Sequence, residues 1–97
     1  MALWACVRDR VATPALLGFL ADMVPVSVAR AGGRAGAGTS LDNTLRFGPR
    51  ATTSWVLVDL DPHLAHDGYG HGTVALWAPD GTLLATGSQT AAMLLFD

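Results

Sequence analysis

The sequence contains no lysine and no glutamate: its six basic residues are all Arg and its eight acidic residues are all Asp. Without a lysine amine there is no Schiff-base nucleophile, no pyridoxal anchor and no Walker-type phosphate loop. Charge of either sign is scarce, at 14% of residues against roughly 25% in ordinary soluble domains. With a net charge of -2 and no basic cluster, the chain lacks the set of phosphate contacts on which nucleic-acid affinity rests. A surface so poor in charge is expected to meet another chain, so a lone monomer is not expected.

Cysteine is limited to Cys6, which excludes an internal disulfide; a chain that needs no oxidising compartment is expected by default in the cytoplasm. Long apolar runs are also wanting. The longest uncharged stretch, Gly81 to Phe96, is broken up by Thr, Ser, Gln and Gly and falls short of the about 18 residues of a membrane span, so no membrane partner is expected. Arg8 and Arg10 precede the apolar stretch Val11 to Ala21, and Ala29-Arg30-Ala31 mimics a cleavage site. Asp9 interrupts that basic leader and Asp22 separates the apolar run from the cut, so the segment reads as a core helix and not as a signal peptide.

What is present is a 97-residue chain that is 51% hydrophobic, enough for one domain spanning residues 1–97. Ala2 to Val7 reads as a short strand. Thr13 is a helix N-cap and Pro14 occupies the first helical position, where its missing N–H costs no bond. Leu16, Phe19, Leu20, Met23, Val24 and Val28 then recur at helical spacing and predict a buried stripe, with Asp22 half-buried on its border and a kink near Pro25.

Gly32 to Gly38 reads as a flexible connection. Ser40 to Phe47 alternates as a strand, with Leu41, Asn43, Leu45 and Phe47 on one face and Ser40, Asp42, Thr44 and Arg46 on the other. Trp55 to Leu60 is a more apolar strand. Tyr69 to Ala78 and Thr82 to Leu95 form a hairpin about Pro79-Asp80-Gly81, in which Pro presets φ and Gly supplies φ > 0. Leu83, Ala85, Gly87, Gln89, Ala91 and Met93 share the face of the last strand that meets the helix. Strand, long helix and four strands predict an α+β fold with an antiparallel sheet and one helix against it.

Three polar groupings could carry chemistry. His63, His66 and His71, with Asp67 between, invite a metal, but two histidines three apart on one strand face opposite ways, and Pro62, Asp67 and Gly68 mark a bulge or a hairpin end. Gly68-Tyr69-Gly70-His71-Gly72 opens a strand where a dinucleotide loop would open a helix. Asp22, Ser40 and Gln89 form the more coherent set, since a carboxylate, a hydroxyl and an amide can hold and activate a water without a covalent intermediate. Asp is a weak base near neutrality, and partial burial would strengthen it. Spacing alone leaves open an exposed Asp, a capping Ser and an edge Gln.

Leu17-Gly18-Phe19-Leu20-Ala21-Asp22, Ser40-Leu41-Asp42-Asn43-Thr44-Leu45-Arg46-Phe47, Trp55-Val56-Leu57-Val58 and Asp80-Gly81-Thr82-Leu83-Leu84-Ala85 through Ser88-Gln89 resemble, in order and spacing, the C-terminal half of the TesB-type acyl-CoA thioesterases, a double hotdog family. The resemblance implies an antiparallel sheet wrapped around a long helix and hydrolysis of fatty acyl-CoA to a free acid and coenzyme A by direct water attack, within lipid metabolism. It implies Asp22 as base or water orienter, Ser40 and Gln89 as positioning partners, and a backbone N–H polarising the thioester carbonyl. It implies no metal and no cofactor. Many members carry His at the position of Asn43 and a bulky residue at that of Arg46. Members normally hold two hotdog halves in one chain, so the second half must come from a second copy, as a homodimer, or from another chain. A noncatalytic acyl-CoA-binding or dimerisation half is the rival reading. A hotdog hydratase ranks lower, because Pro14 to Ala31 contains no histidine.

Overall fold

In the computed structural model, which describes residues 1–6, 8 and 10–96, the helix starts where the sequence places it. The Thr13 hydroxyl accepts the Leu16 N–H at 3.2 Å, and Pro14 opens α1 (Pro14–Ala21). The chain then leaves helical geometry at Asp22 and Met23 and re-enters it as α2 (Val24–Ala31). The break therefore precedes Pro25 instead of falling on it. Pro25 lies in the first turn of the new helix, where a missing N–H is tolerated, so the residue expected to kink one helix helps to begin a second.

The buried stripe is also rotated from its expected position. Leu17, Leu20, Ala21, Val24 and Val28 are buried, whereas Phe19 is 72% exposed and Asp22 is exposed. At about 100° per residue the five buried positions cluster on one line, with Phe19 nearly opposite and Asp22 well away from its centre. The period was legible in the sequence, but Phe19 was assigned to the wrong side of it. By length and mean hydropathy alone, 18 residues at 1.3, Pro14–Ala31 would match a membrane span. In the fold it is divided at Asp22–Met23 and its apolar side packs on the sheet.

The sheet comprises β1 (Ala2–Ala5), β2 (Ala35–Phe47), β3 (Val56–His66), β4 (Tyr69–Trp77) and β5 (Leu83–Phe96), all antiparallel in the order β1-β3-β4-β5-β2. The first strand ends at Ala5, and Val7, expected within it, lies outside the described residues. The α+β architecture, with the helical segment against one face, is the one expected. Val56, Val58, Leu60, Val74 and Leu76 supply the sheet side of the core, and Leu17, Leu20, Val24 and Val28 the helix side. The turn between β4 and β5 closes as its residues require: Gly81 has φ +91, and the Ala78 N–H donates to the Thr82 carbonyl at 2.9 Å.

Two strands are longer than expected. The Gly32–Gly38 connection shrinks to a turn after α2, and the chain joins β2 from Ala35, so Gly36 and Gly38 belong to the sheet. There Gly38 leaves room for the helix: a Cβ on it would lie 2.9 Å from the Cβ of Ala91 and 3.0 Å from that of Pro25. The strand expected to end at Leu60 continues to His66 through Pro62. Beyond Leu60, β1 no longer pairs with β3, so Pro62 occupies an edge segment just before a register shift, where no ladder donor is needed. Trp55 precedes the strand and is 52% exposed.

Candidate active site

Asp22 caps α1 at the helix break, and Gln89 lies on the helix-facing side of β5, as its alternation predicts. The Gln89 side chain is 1% exposed, and its Nε2 donates to Asp22 Oδ1 at 2.9 Å, joining residues 67 apart in sequence. At the other end of that carboxamide, Oε1 is buried and has no hydrogen-bond partner among the described residues. A buried carbonyl oxygen left without a donor costs about 1–3 kcal/mol. Such an oxygen is the acceptor that a bound water or ligand N–H or O–H would complete. Asp22 departs from the half-buried position expected of it, because the helix break leaves it exposed.

Ser40 reaches this face through an irregularity that alternation could not reveal. Along β2 and β5 the pairs run Thr39 with Ala92 and Ser40 with Ala91, then Asp42 with Thr90 and Asn43 with Gln89, so Leu41 is an extra, unpaired residue. Residues directly opposite one another share a face. Ser40 therefore joins the side of buried Ala91, and Asn43 joins that of Gln89, although the two stand an odd number of positions apart. In an unbroken strand Ser40 and Asn43 would point apart, as the expected alternation had them. Leu41 is left 59% exposed instead of sharing the Asn43 face. The Ser40 hydroxyl donates to the Asp42 carbonyl at 3.2 Å, so it makes no direct bond to Asp22 or Gln89, and its lone pairs stay free to accept.

The histidines lie elsewhere. His63 Nε2 is 3.2 Å from Asp61 Oδ2 and 3.3 Å from Thr73 Oγ1, while His71 Nδ1 shares a 2.9 Å hydrogen bond with Thr90 Oγ1. His66 stands beside Asp67, both strongly exposed. Asp67 and Gly68 turn the chain between β3 and β4 with positive φ, and His63 falls at the register shift. The glycines of the 68–72 segment serve packing: a Cβ on Gly72 would lie 2.9 Å from the Asp61 carbonyl oxygen and 3.0 Å from Val24 Cγ1. That is how α2 comes so close to β4.

Concavities of about 270 Å³, between the start of α1 and Gly48–Ala51, and of about 210 Å³, between the end of α2 and the β3–β4 turn, mark the surface. Neither is lined by Asp22, Ser40 or Gln89. Asp22 and Ser40 instead are exposed near the β2 edge, with Gln89 buried beside Asp22.

The fold and part of the sequence are shared with solved structures. A provisionally assigned thioesterase from Novosphingobium aromaticivorans matches at 37% identity and a TM-score of 0.85, over 94% of this chain. The chain spans only 36% of that protein's length. Zebrafish thioesterase superfamily member 2 (19% identity, TM-score 0.76, 93% of this chain and 71% of that one) and a Streptococcus mutans protein solved with acetyl-CoA bound (14%, 0.75, 98% and 79%) share the fold. No curated protein matches the chain. The family model for the acyl-CoA thioesterase C-terminal domain matches residues 1–93, and the chain belongs to that family.

Proposed function

We propose that this chain forms the water-activating half of an acyl-CoA thioesterase that hydrolyses fatty acyl-CoA. The observation that carries the proposal is the buried Gln89 carboxamide, bonded at one end to Asp22 and lacking a donor among the described residues at the other. Nε2 is committed to Oδ1, so we assign the second carboxylate oxygen of Asp22, an exposed residue, as the one that accepts a proton from water. Gln89 Oε1 and the Ser40 lone pairs are the acceptors that would orient that water's remaining hydrogen. The water oxygen bonds to the thioester carbonyl carbon as Asp22 takes its proton. Collapse then breaks the C–S bond, and the proton passes to the departing thiolate, giving free acid and coenzyme A. Pro25 has no N–H, and the Val26 and Ser27 N–H groups donate to the Met23 carbonyl, so among the first-turn amides of α2 the Val24 N–H is the donor we assign to the developing oxyanion.

An open site of this kind needs a second wall. The neighbour solved with acetyl-CoA supports an acyl-CoA ligand, and the much longer Novosphingobium relative supports a second hotdog half. We place that half, a second copy or another chain, along β2, the edge strand beside the site. Its arrival would also cover Asp22 and shut bulk water out of the site.

Thiol release from a series of acyl-CoA esters tests the reading. The parent is expected to turn over, and Asp22→Asn to lose about 10²–10⁴-fold in kcat with acyl-CoA still bound. Binding without turnover in the parent would favour the noncatalytic half-domain instead.

A further inference from the structure

The β2 bulge brings Ser40 onto the Gln89 side, and its maintenance needs an explanation. At a bulge the ladder is locally interrupted, and a facing backbone group loses its regular partner. Here that group is the Thr90 N–H, next to Gln89, and it donates to the side chain of Asp42 (Oδ1) at 3.1 Å, across 48 residues of sequence. The same residue offers its backbone carbonyl to the Ser40 hydroxyl at 3.2 Å. Asp42 thus grips both strands: its carboxylate takes the orphaned amide of β5, and its carbonyl fixes the Ser40 side chain on β2.

We propose that Asp42 is a positioning residue for the Asp22, Ser40 and Gln89 set, its carboxylate serving as the clamp that holds the bulge in register. The inference rests on the hydrolase reading for its catalytic consequence but on the β2–β5 geometry for the clamp itself. Its chemistry requires an acceptor oxygen at this place and not a negative charge. Asparagine supplies such an oxygen; alanine does not. With the clamp lost, the Thr90 amide is left unpaired and the residues around Leu41 are free to slide toward regular pairing, which turns Ser40 or Asn43 off the Gln89 face.

Two readouts on the full chain test this. Amide hydrogen exchange at Thr90 is expected to accelerate at least about tenfold in Asp42→Ala and to stay near the parent rate in Asp42→Asn. In the thiol-release assay Asp42→Ala is expected to lower kcat by about ten- to a hundredfold with KM little changed, and Asp42→Asn to restore it. Equal loss of kcat in both variants would overturn the proposal by showing that the charge itself matters. An unchanged Thr90 amide in Asp42→Ala would overturn it too. Should Asp42→Ala fail to fold, Asp42→Asn alone decides, since loss of Thr90 protection in that variant contradicts an acceptor-only clamp. A parent without turnover would count against the hydrolase reading, and the exchange measurement would then judge the clamp alone.

Discussion

The β3–β4–β5 sheet and the seam between the helix break and β2 are built on different principles. In the first, register shifts occur at Pro62–Leu64 and at Leu76–Trp77, yet β4 alternates strictly, with Gly70, Gly72, Val74 and Leu76 buried, and a Pro-Asp-Gly turn ties it to β5. In the second, two irregularities face each other: a helix that stops at Asp22 and restarts at Val24, and a strand that carries one residue too many at Leu41. Regularity buries apolar side chains. Irregularity frees polar groups from helix and ladder so that they can be aimed. Asp22 and Ser40 lie in the irregular region, at the break and beside the bulge, and Gln89 meets them from β5, the strand paired with β2.

The largest effect that would sharpen this contrast is expected in the regular part. Leu76 is 0% exposed in the centre of the sheet. Leu76→Ala should therefore lower unfolding free energy by about 2–5 kcal/mol in urea titration. Because Leu76 takes no part in the Asp22–Gln89 bond, kcat per folded molecule should hold. A matching loss of kcat in the folded fraction would mean that the two regions are not separable.

How much could be read beforehand follows the same division. Thr13-Pro14 and Pro79-Asp80-Gly81 were legible because each acts through local geometry: a hydroxyl that caps, a ring that presets φ, a glycine at positive φ. The helix-facing side of β5 was legible because Gln89 and its small neighbours keep a period of two. The bulge left no local mark, since Leu41 as an extra residue and Leu41 as an ordinary alternating one have the same sequence, and only pairing with β5 distinguishes them. The interruption expected near Pro25 does fall there, at Asp22–Met23, but its form, a restart with Pro25 in the first turn and not a kink, was not legible. Proline forbids the helix interior but welcomes the first turn, and the sequence around Pro25 does not say which of these it occupies. Asp22, Ser40 and Gln89 form one expected set from their residue types and the family resemblance, and the 2.9 Å bond between Asp22 and Gln89 is a contact that spacing alone left open.

A smaller effect, opposite in kind, is expected at the seam. Phe19 is 72% exposed one helical turn before Asp22, a position where a large apolar ring contributes little to folding. Phe19→Ala should change stability by no more than about 0.5 kcal/mol. If the ring meets substrate or the second half, the same variant should raise KM for long-chain acyl-CoA several-fold, which corresponds to roughly 1 kcal/mol of lost apolar contact. Leu76→Ala and Phe19→Ala thus separate folding from function in opposite directions. Unchanged KM would remove Phe19 from the ligand path.

The smallest expected effect belongs to the turn of the regular region. The Thr82 backbone N–H donates to Asp80 Oδ1 at 2.9 Å and, with the Thr82 hydroxyl, holds the Asp80 carboxyl below its ordinary range. A carboxylate whose pKa is lower in the folded chain than in the unfolded one stabilises the fold at pH above the unfolded value. That contribution fades as pH falls through the folded value, so the turn should weaken only on the acid side. Asp80 is fully solvated, so the change in global stability should be slight, and the residue's own titration is the better measure. Carboxyl chemical shifts should show Asp80 protonating at lower pH than a free aspartate, and Asp80→Asn should abolish the acid-dependent loosening of the Thr82 amide. An Asp80 that titrates at or above the free value would show that the turn is held by Pro79 and Gly81 alone. It would also place the regular region's best-defined polar contact outside its stability, leaving directed polar bonds as a feature of the seam.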